Sequence, residues 1–280
     1  MVHPECPANI RAFADFIGST SQMLKFVKSN PNSCFLVGTE IGIIYGTYHF
    51  LEKLGLKVKK FVKDCDSVKG GSVLLEVVGP VRTILSVERL MLNILMHCSS
   101  IATEVRKLVE LFRTVNSKVR VATTRKTLPG LRYFEKKAVF IGGGDTHGFL
   151  LSDAILIKNN HIAIIGDVAE AVKIAKEKAS FAHKIEVEVS TIEDAIKVIE
   201  SGADIVMLDN MGPEEAARII EELRKRGLRK RILIEVSDGI TPENILDYAK
   251  LDIDVISCGY ITMSSKAIDM SLGVVEVIRE

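Results

Sequence analysis

The chain has 280 residues, 47% hydrophobic and 26% charged, with a formal net charge of +1. That length suits one large domain or two smaller ones with a full core, and the near-neutral balance gives no global basic field for nucleic acid. No uninterrupted apolar run approaches the roughly 18 residues of a membrane span, the start MVHPECPANI lacks a secretion signal's layout, and the five cysteines (Cys6, Cys34, Cys65, Cys98, Cys258) are scattered without a CxxC, which reads as reduced thiols in a cytoplasmic protein.

Residues 35–38 and 41–44 read as short strands around a Thr39-Glu40 turn, and 45–54 as a helix stopped by Gly55. Residues 58–62, 72–78 and 81–85 carry the β-branched pattern of strands, with Gly70-Gly71 and Gly79-Pro80 as turns. A small mixed unit fits this region. Ser86-Val87-Glu88-Arg89 then opens a long helix through about 112, with Leu92, Leu95, Ile101, Val105 and Leu108 on its apolar side. The pattern changes here, which puts a domain boundary near residue 88.

Beyond it, strands and helices alternate. Residues 119–124, 154–157, 185–189, 205–208, 232–236 and 255–258 read as strands, and 131–141, 168–178, 192–201, 214–226 and 242–249 as helices. Thr191 and Asp194 form a capping-box pattern, and Pro213 and Pro242 suit a first helical turn. Such alternation means parallel strands with right-handed crossovers. Six strands are two short of the usual eight-stranded barrel, and a doubly wound open sheet competes. The strand ends decide. They read Arg125-Lys126, Lys158, Glu188, Asp209, Ser237-Asp238-Gly239 and Gly259. Polar groups at every carboxyl end suit a barrel, whose strands all end at one mouth; an open sheet needs them only beside its switch point.

The chemistry starts from two strands that each end in cations, Arg125-Lys126 and Lys158, with Gly142–Gly144 and His147 between them, a pattern for a small-anion pocket. Glu186 and Glu188 share one strand face, and Asp209 ends the next strand; a buried carboxylate must be paired, hydrogen-bonded or on a metal. These acids could hold Mg²⁺ or ribose hydroxyls, or be neutralised by a lysine such as Lys158. The loops at Ser237-Asp238-Gly239 and Cys258-Gly259 occupy the usual phosphate position of a barrel, although Asp238 would repel a phosphate. His147 could donate to a carboxylate or simply be solvated. Cys98 and Cys258 lack a base partner and read as core thiols, and a Schiff base on Lys158 is a further alternative.

The segments ERLMLNILMHCSSIAT, TRKTLPGLRYFEKKAVFIGGGDTH, LSDAILIKNNHI, EVEV, ADIVMLDN and GYITMSSKAIDMSL, spanning about 86–275, resemble the quinolinate phosphoribosyltransferase family, the decarboxylating enzymes of NAD synthesis. The resemblance implies an N-terminal α/β sandwich (1–88, with 266–280 returning to it) and an incomplete six-stranded parallel α/β barrel (89–265), assembled as a homodimer or multiples of it. It implies Mg²⁺-dependent transfer of phosphoribosyl from phosphoribosyl pyrophosphate to quinolinate. Arg125, Lys126, His147 and Lys158 would line the pocket for the pyridine carboxylates, with Arg89 reaching in from the neighbouring subunit. Lys126, Lys158, Glu188 and Asp209 would carry the catalysis. Glu188 and Asp209 would face the ribose and the Mg²⁺-pyrophosphate, and Ser237, Gly239 and Gly259 would hold phosphate. The chain departs from the family pattern at Gly148, where an arginine is usual, at Asp238, where a glycine is usual, and at Met263, where a histidine is usual. A changed acceptor such as a monocarboxylate, or a binding protein without activity, are the alternatives those departures suggest.

Overall fold

The protein is described here as a computed structural model covering residues 43–148 and 153–278. The described residues up to Leu95 and from Met270 form one compact unit, and Met96–Asp269 form the other.

In the first unit, helix α1 (Ile43–Lys53) leads into strand β1 (Lys57–Lys60), which pairs antiparallel with β2 (Leu75–Val78). Leu51 and Leu56 are its most buried apolar side chains, at 1% and 3% exposure. The expected strand at 41–44 is corrected in part. Its second half begins α1, whose Ile44 amide donates to Asp64 Oδ1 at 3.0 Å, a cap supplied from a distant loop that the local sequence does not reveal. Residues 35–38 lie outside the described residues, as do the other residues of the expected sandwich before 43.

The expected strand at 81–85 is also corrected. Those residues open helix α2 (Val81–Val115), 35 residues long. Pro80 supplies the first accepting carbonyl, to the Ile84 amide at 3.1 Å, and partly buried positions recur at 83–84, 87–88, 91–92 and 94–95, a helical spacing that outweighs the β-branched composition. The boundary expected at residue 88 therefore falls inside a continuous helix. By length and composition alone α2 would also pass as a membrane span, which counting uninterrupted apolar runs overlooks. It carries charges at Arg89, Glu104, Arg106 and Lys107, and buries Ile101, Val105, Leu108 and Phe112 along one side, as a core helix does.

The second unit holds six parallel strands: β3 (Arg120–Ala122), β4 (Ile155–Ile157), β5 (Ile185–Val189), β6 (Ile205–Asp209), β7 (Leu233–Ser237) and β8 (Val255–Ser257). Their order is β3-β8-β7-β6-β5-β4. Consecutive strands from β4 to β8 are neighbours, and the first strand closes onto the last, whereas a doubly wound sheet reverses order at an internal switch point. The sheet is an α/β barrel left open between β3 and β4. At that seam Ala122 and Asp145 form an isolated parallel bridge, with the Asp145 amide donating to Val121 O at 2.8 Å.

Helices α3 (Arg132–Gly142), α4 (Asn159–Ile165), α5 (Val168–Lys178), α6 (Ile192–Glu200), α7 (Pro213–Lys225), α8 (Ile245–Ala249) and α9 (Tyr260–Met263) connect the strands. Asp167 and Thr191 cap α5 and α6 by accepting from the Glu170 and Asp194 amides. The expected helix at 242–249 starts three residues late, because Asn244 Oδ1 accepts the Thr241 amide at 2.8 Å and holds 241–244 as a turn. Core residues Val206, Leu208, Ile234, Val236 and Ile256 are 0–1% exposed. The glycine triplet serves packing rather than anion binding: a Cβ at Gly142 would lie 2.6 Å from Ala102 O, and one at Gly144 2.7 Å from Val105 Cγ1. Here α3 passes too close to α2 for any side chain.

Candidate active site

The carboxyl ends of all six strands line one cavity of about 510 Å³. Arg125 and Lys126 follow β3, Lys158 follows β4, Glu188 lies on β5, Asp209 ends β6, and Ser237 with Asp238 closes β7. Ser257 of β8 donates to the Ser237 hydroxyl at 2.9 Å. Residues that look unrelated along the chain meet here because a barrel gathers its strand ends at one mouth.

Charges are opposed in pairs across this cavity. Lys158 Nζ lies 2.6 Å from Glu188 Oε1, and the Asn159 amide donates to Glu188 Oε2 at 3.2 Å. Lys126 Nζ reaches from β3 to Asp238 Oδ1 at 2.8 Å, and this hydrogen bond holds the Asp238 carboxyl below its ordinary range. Asp209 is pushed upward, first by burial and then by the charges of Glu188 and Asp238. Arg125 lines the cavity and makes no ion pair among the described residues.

His147 sits deeper, on a backbone with φ of 36°. Its Nε2 lies 3.3 Å from Glu186 Oε2 and 3.0 Å from Glu235 Oε2, both carboxylates being at most 2% exposed. The contact with Glu235 is an ion contact without hydrogen-bond alignment, so both Glu235 oxygens, like His147 Nδ1, lack a hydrogen-bond partner. Burial alone would lower the imidazole's pKa, but the two carboxylates outweigh it and raise it to about 10. Burial, together with repulsion from Glu235, pushes Glu186 up against the opposing pull of His147. The three donors lie within 4.8 Å of one another, a spacing compatible with a metal ion.

Lys136 explains how His147 is held. This fully buried lysine on α3 donates to Thr123 O and Oγ1, Thr124 O, Thr146 O and His147 O, stapling the end of β3 to the His147 loop. Burial lowers its pKa to about 8. Beside it, buried Glu135 accepts from His97 Nε2 at 2.8 Å and from the Leu128 amide at 3.2 Å, fixing the turn that follows Lys126. Sequence reasoning missed Lys136, Glu135 and Glu235. The available signal was a charge pair in the middle of an otherwise core-forming helix, and the two-residue spacing of Glu235 and Ser237, which repeats that of Glu186 and Glu188.

Of the expected site residues, Arg125, Lys126, His147, Lys158, Glu188, Asp209 and Ser237 line the cavity. Gly239 adjoins it with φ of 62°, and Gly259 lies against the Lys126 stem, where a Cβ would come within 3.1 Å of Lys126 Cδ. Lys126 thus stands with the two glycine loops. Arg89 belongs to the other unit and is 72% exposed, 3.9 Å from Glu88. Cys98 and Cys258 are buried free thiols raised to about 12 by burial, which suits core residues and no nucleophile.

An incomplete parallel α/β barrel whose mouth sets cations against carboxylates defines an enzyme for small anionic substrates. Residues 101–273 match the family model for the quinolinate phosphoribosyl transferase C-terminal domain, and residues 1–70 match that for the quinolinate synthetase A protein. A probable nicotinate-nucleotide pyrophosphorylase [carboxylating] of Archaeoglobus fulgidus is 50% identical over 236 residues, covering 84% of this chain and 89% of its own. The nicotinate-nucleotide pyrophosphorylase [carboxylating] of Homo sapiens is 34% identical, over 87% and 82%. The crystal structure of NadC from Streptococcus pyogenes superposes with a TM-score of 0.72 at 37% identity, over 81% and 78%. The chain belongs to the quinolinate phosphoribosyltransferase family, a family of pentosyltransferases.

Proposed function

We propose that the chain transfers phosphoribosyl from phosphoribosyl pyrophosphate to quinolinate with decarboxylation, giving nicotinate mononucleotide, pyrophosphate and carbon dioxide. The observation that carries this reading is the opposition of Arg125, Lys126, His147 and Lys158 to Glu188 and Asp209 within one cavity. A dicarboxylate needs several cations to hold it, and a sugar carbon losing pyrophosphate gains positive charge that carboxylates stabilise. The names of the relatives support the same reaction. The match of residues 1–70 supports quinolinate as the acceptor, since that family too is named for this compound.

In this reading Arg125, His147 and Lys158 orient the two pyridine carboxylates, and the ring nitrogen attacks the ribose C1 as its bond to pyrophosphate breaks. The carboxylate beside the nitrogen then leaves as carbon dioxide, and the ring carbon takes a proton from solvent. No side chain forms a covalent bond. Glu188 and Asp209 fit Mg²⁺, because their oxygens are hard donors and because Asp209, pushed upward by burial and then by the charges of Glu188 and Asp238, is a carboxylate that a cation would relieve. When bound, the ion would neutralise the leaving pyrophosphate. Arg89 completes the site of a second copy, which makes the working form a homodimer or a multiple of it. Incubation with quinolinate, phosphoribosyl pyrophosphate and Mg²⁺ tests the proposal; nicotinate mononucleotide and carbon dioxide in equal amounts are expected, and the absence of both overturns it.

A further inference from the structure

The loop after β7 holds an anion of its own. Asp238 has a left-handed backbone, φ 59°, and its Oδ1 accepts from Lys126 Nζ at 2.8 Å and from the Gly239 amide at 3.2 Å. These two donors stand at the ends of β3 and β7, and they are the kind that bind a phosphate oxygen: an ammonium and a loop N–H beside a left-handed glycine. Neither donor is loose. The Lys126 backbone is fixed on both sides, its amide donating to Thr124 Oγ1 at 3.1 Å and its carbonyl accepting from Thr262 Oγ1 at 2.6 Å. Its stem packs against Gly259. The Gly239 carbonyl accepts from Asn244 Nδ2 at 2.9 Å. The loop is therefore built to present donors, and one side-chain carboxylate engages both.

We propose that Asp238 is a tethered competitor for phosphate: its carboxylate occupies the position of a phosphate oxygen between Lys126 and Gly239, and an incoming phosphate must displace it. Asp238 thereby sets the phosphate affinity of this corner of the cavity. The inference rests on the proposed reading of the site as one that binds a phosphoribosyl group. The pair is displaceable because Lys126 and Asp238 are 54% and 50% exposed, so water can solvate the carboxylate as it swings away. The remaining carboxylate repels a bound phosphate until it has turned outward. The left-handed backbone does not require this side chain, since glycine and asparagine adopt it readily.

The test is calorimetric titration of the full chain with inorganic phosphate, comparing wild type with Asp238→Asn and Asp238→Gly. Both variants keep the turn and remove the charge, and each is expected to bind phosphate about 3- to 10-fold more tightly. The gain is expected to shrink when Lys126→Ala is added, because the released ammonium supplies it. Unchanged or weaker binding in both variants overturns the proposal, as does an equal gain with and without Lys126, or the absence of phosphate binding in every form. If quinolinate binding tightens and phosphate binding does not, the donors serve the acceptor's carboxylate and the phosphate assignment falls. Tighter phosphate binding in both variants, where the wild type turns over no quinolinate, still supports the competitor role and overturns only the proposed reaction.

Discussion

Lys158 Nζ lies 2.6 Å from Glu188 Oε1, and this pair ties the carboxyl end of β4 to that of β5. It leaves Glu188 with its charge matched on one side, while Asp209 on the next strand is pushed upward by burial and by Glu188. Glu188→Gln and Asp209→Asn remove charge and keep shape. Each is expected to lower turnover about 100-fold or more, the scale of losing one well-aimed electrostatic group. Circular dichroism and thermal unfolding should stay close to wild type. Near-normal turnover in both variants would remove these acids from the chemistry.

His147 gives a pH prediction with a definite sign. Its pKa rises from 6.5 toward about 10 because Glu186 and Glu235 outweigh the effect of burial. A raised pKa means stabilisation that is complete below about pH 6.5 and drains away as pH climbs to about 10. Nitrogen-15 NMR of the labelled ring should find it doubly protonated at pH 8, and Glu235→Gln should bring its titration down toward the ordinary range. A wild-type ring that titrates near 6.5 would contradict the arrangement.

Strand ends could be read from the sequence because chemistry and periodicity coincide there. Short β-branched runs closing on Arg125-Lys126, Lys158, Glu188 and Asp209 carry both the barrel and its mouth. Residues 81–85 misled, since β-branched composition favours a strand over five residues, whereas the helical spacing emerges only across the whole of α2. Glu235 and Lys136 stayed hidden for another reason. Lys136 folds back onto Thr123, Thr124, Thr146 and His147, oxygens that only the packed turn of the chain gathers, and Glu235 meets His147 because β3 pairs with β8, the neighbour of β7. The triplet Gly142–Gly144 looked like an anion loop, but local sequence cannot distinguish a glycine needed for a ligand from one needed for a neighbouring helix.

Lys136 is itself fully buried and makes five contacts to oxygen, those to Thr123 buried as well. Lys136→Met fills the volume yet leaves buried carbonyls without a donor. The expected loss is about 3 kcal/mol of stability, together with weaker quinolinate binding, because the Thr146–His147 backbone loses its tether. Chemical denaturation measures the first effect and calorimetry the second. A variant as stable as wild type would mean that water takes over the ammonium's role.

If Arg89 completes the site of a partner subunit, two inactive proteins should rescue each other. Mixing Arg89→Ala with Lys158→Ala should restore activity, since a mixed dimer contains one site with neither defect. Subunit exchange is verified by native mass spectrometry. Exchange without recovery of activity would take Arg89 out of the site and leave it as the exposed cation seen beside Glu88.

Gly148 stands where the family resemblance leads one to expect an arginine, and the structure gives a backbone reason for a glycine. Its φ is 61°, in the left-handed region, next to His147 at 36°. A side chain there costs roughly 1–2 kcal/mol, so Gly148→Arg is expected to unfold at a lower temperature by a few degrees. Two cations nearby in sequence that could stand in for an arginine are committed elsewhere: Lys126 to Asp238, and Arg132 to Thr127 Oγ1 and Arg125 O. Arg125 remains, with no ion pair among the described residues, and with Lys158 and His147 it supplies more positive charge than a monocarboxylate needs. Quinolinate should therefore bind the wild type better than nicotinate, and Gly148→Arg should leave that order intact while changing quinolinate affinity by less than about threefold, under 1 kcal/mol. Calorimetry with both pyridines decides the matter. A wild type that prefers nicotinate, with the order reversed in Gly148→Arg, would make the acceptor a monocarboxylate and overturn the proposed reaction.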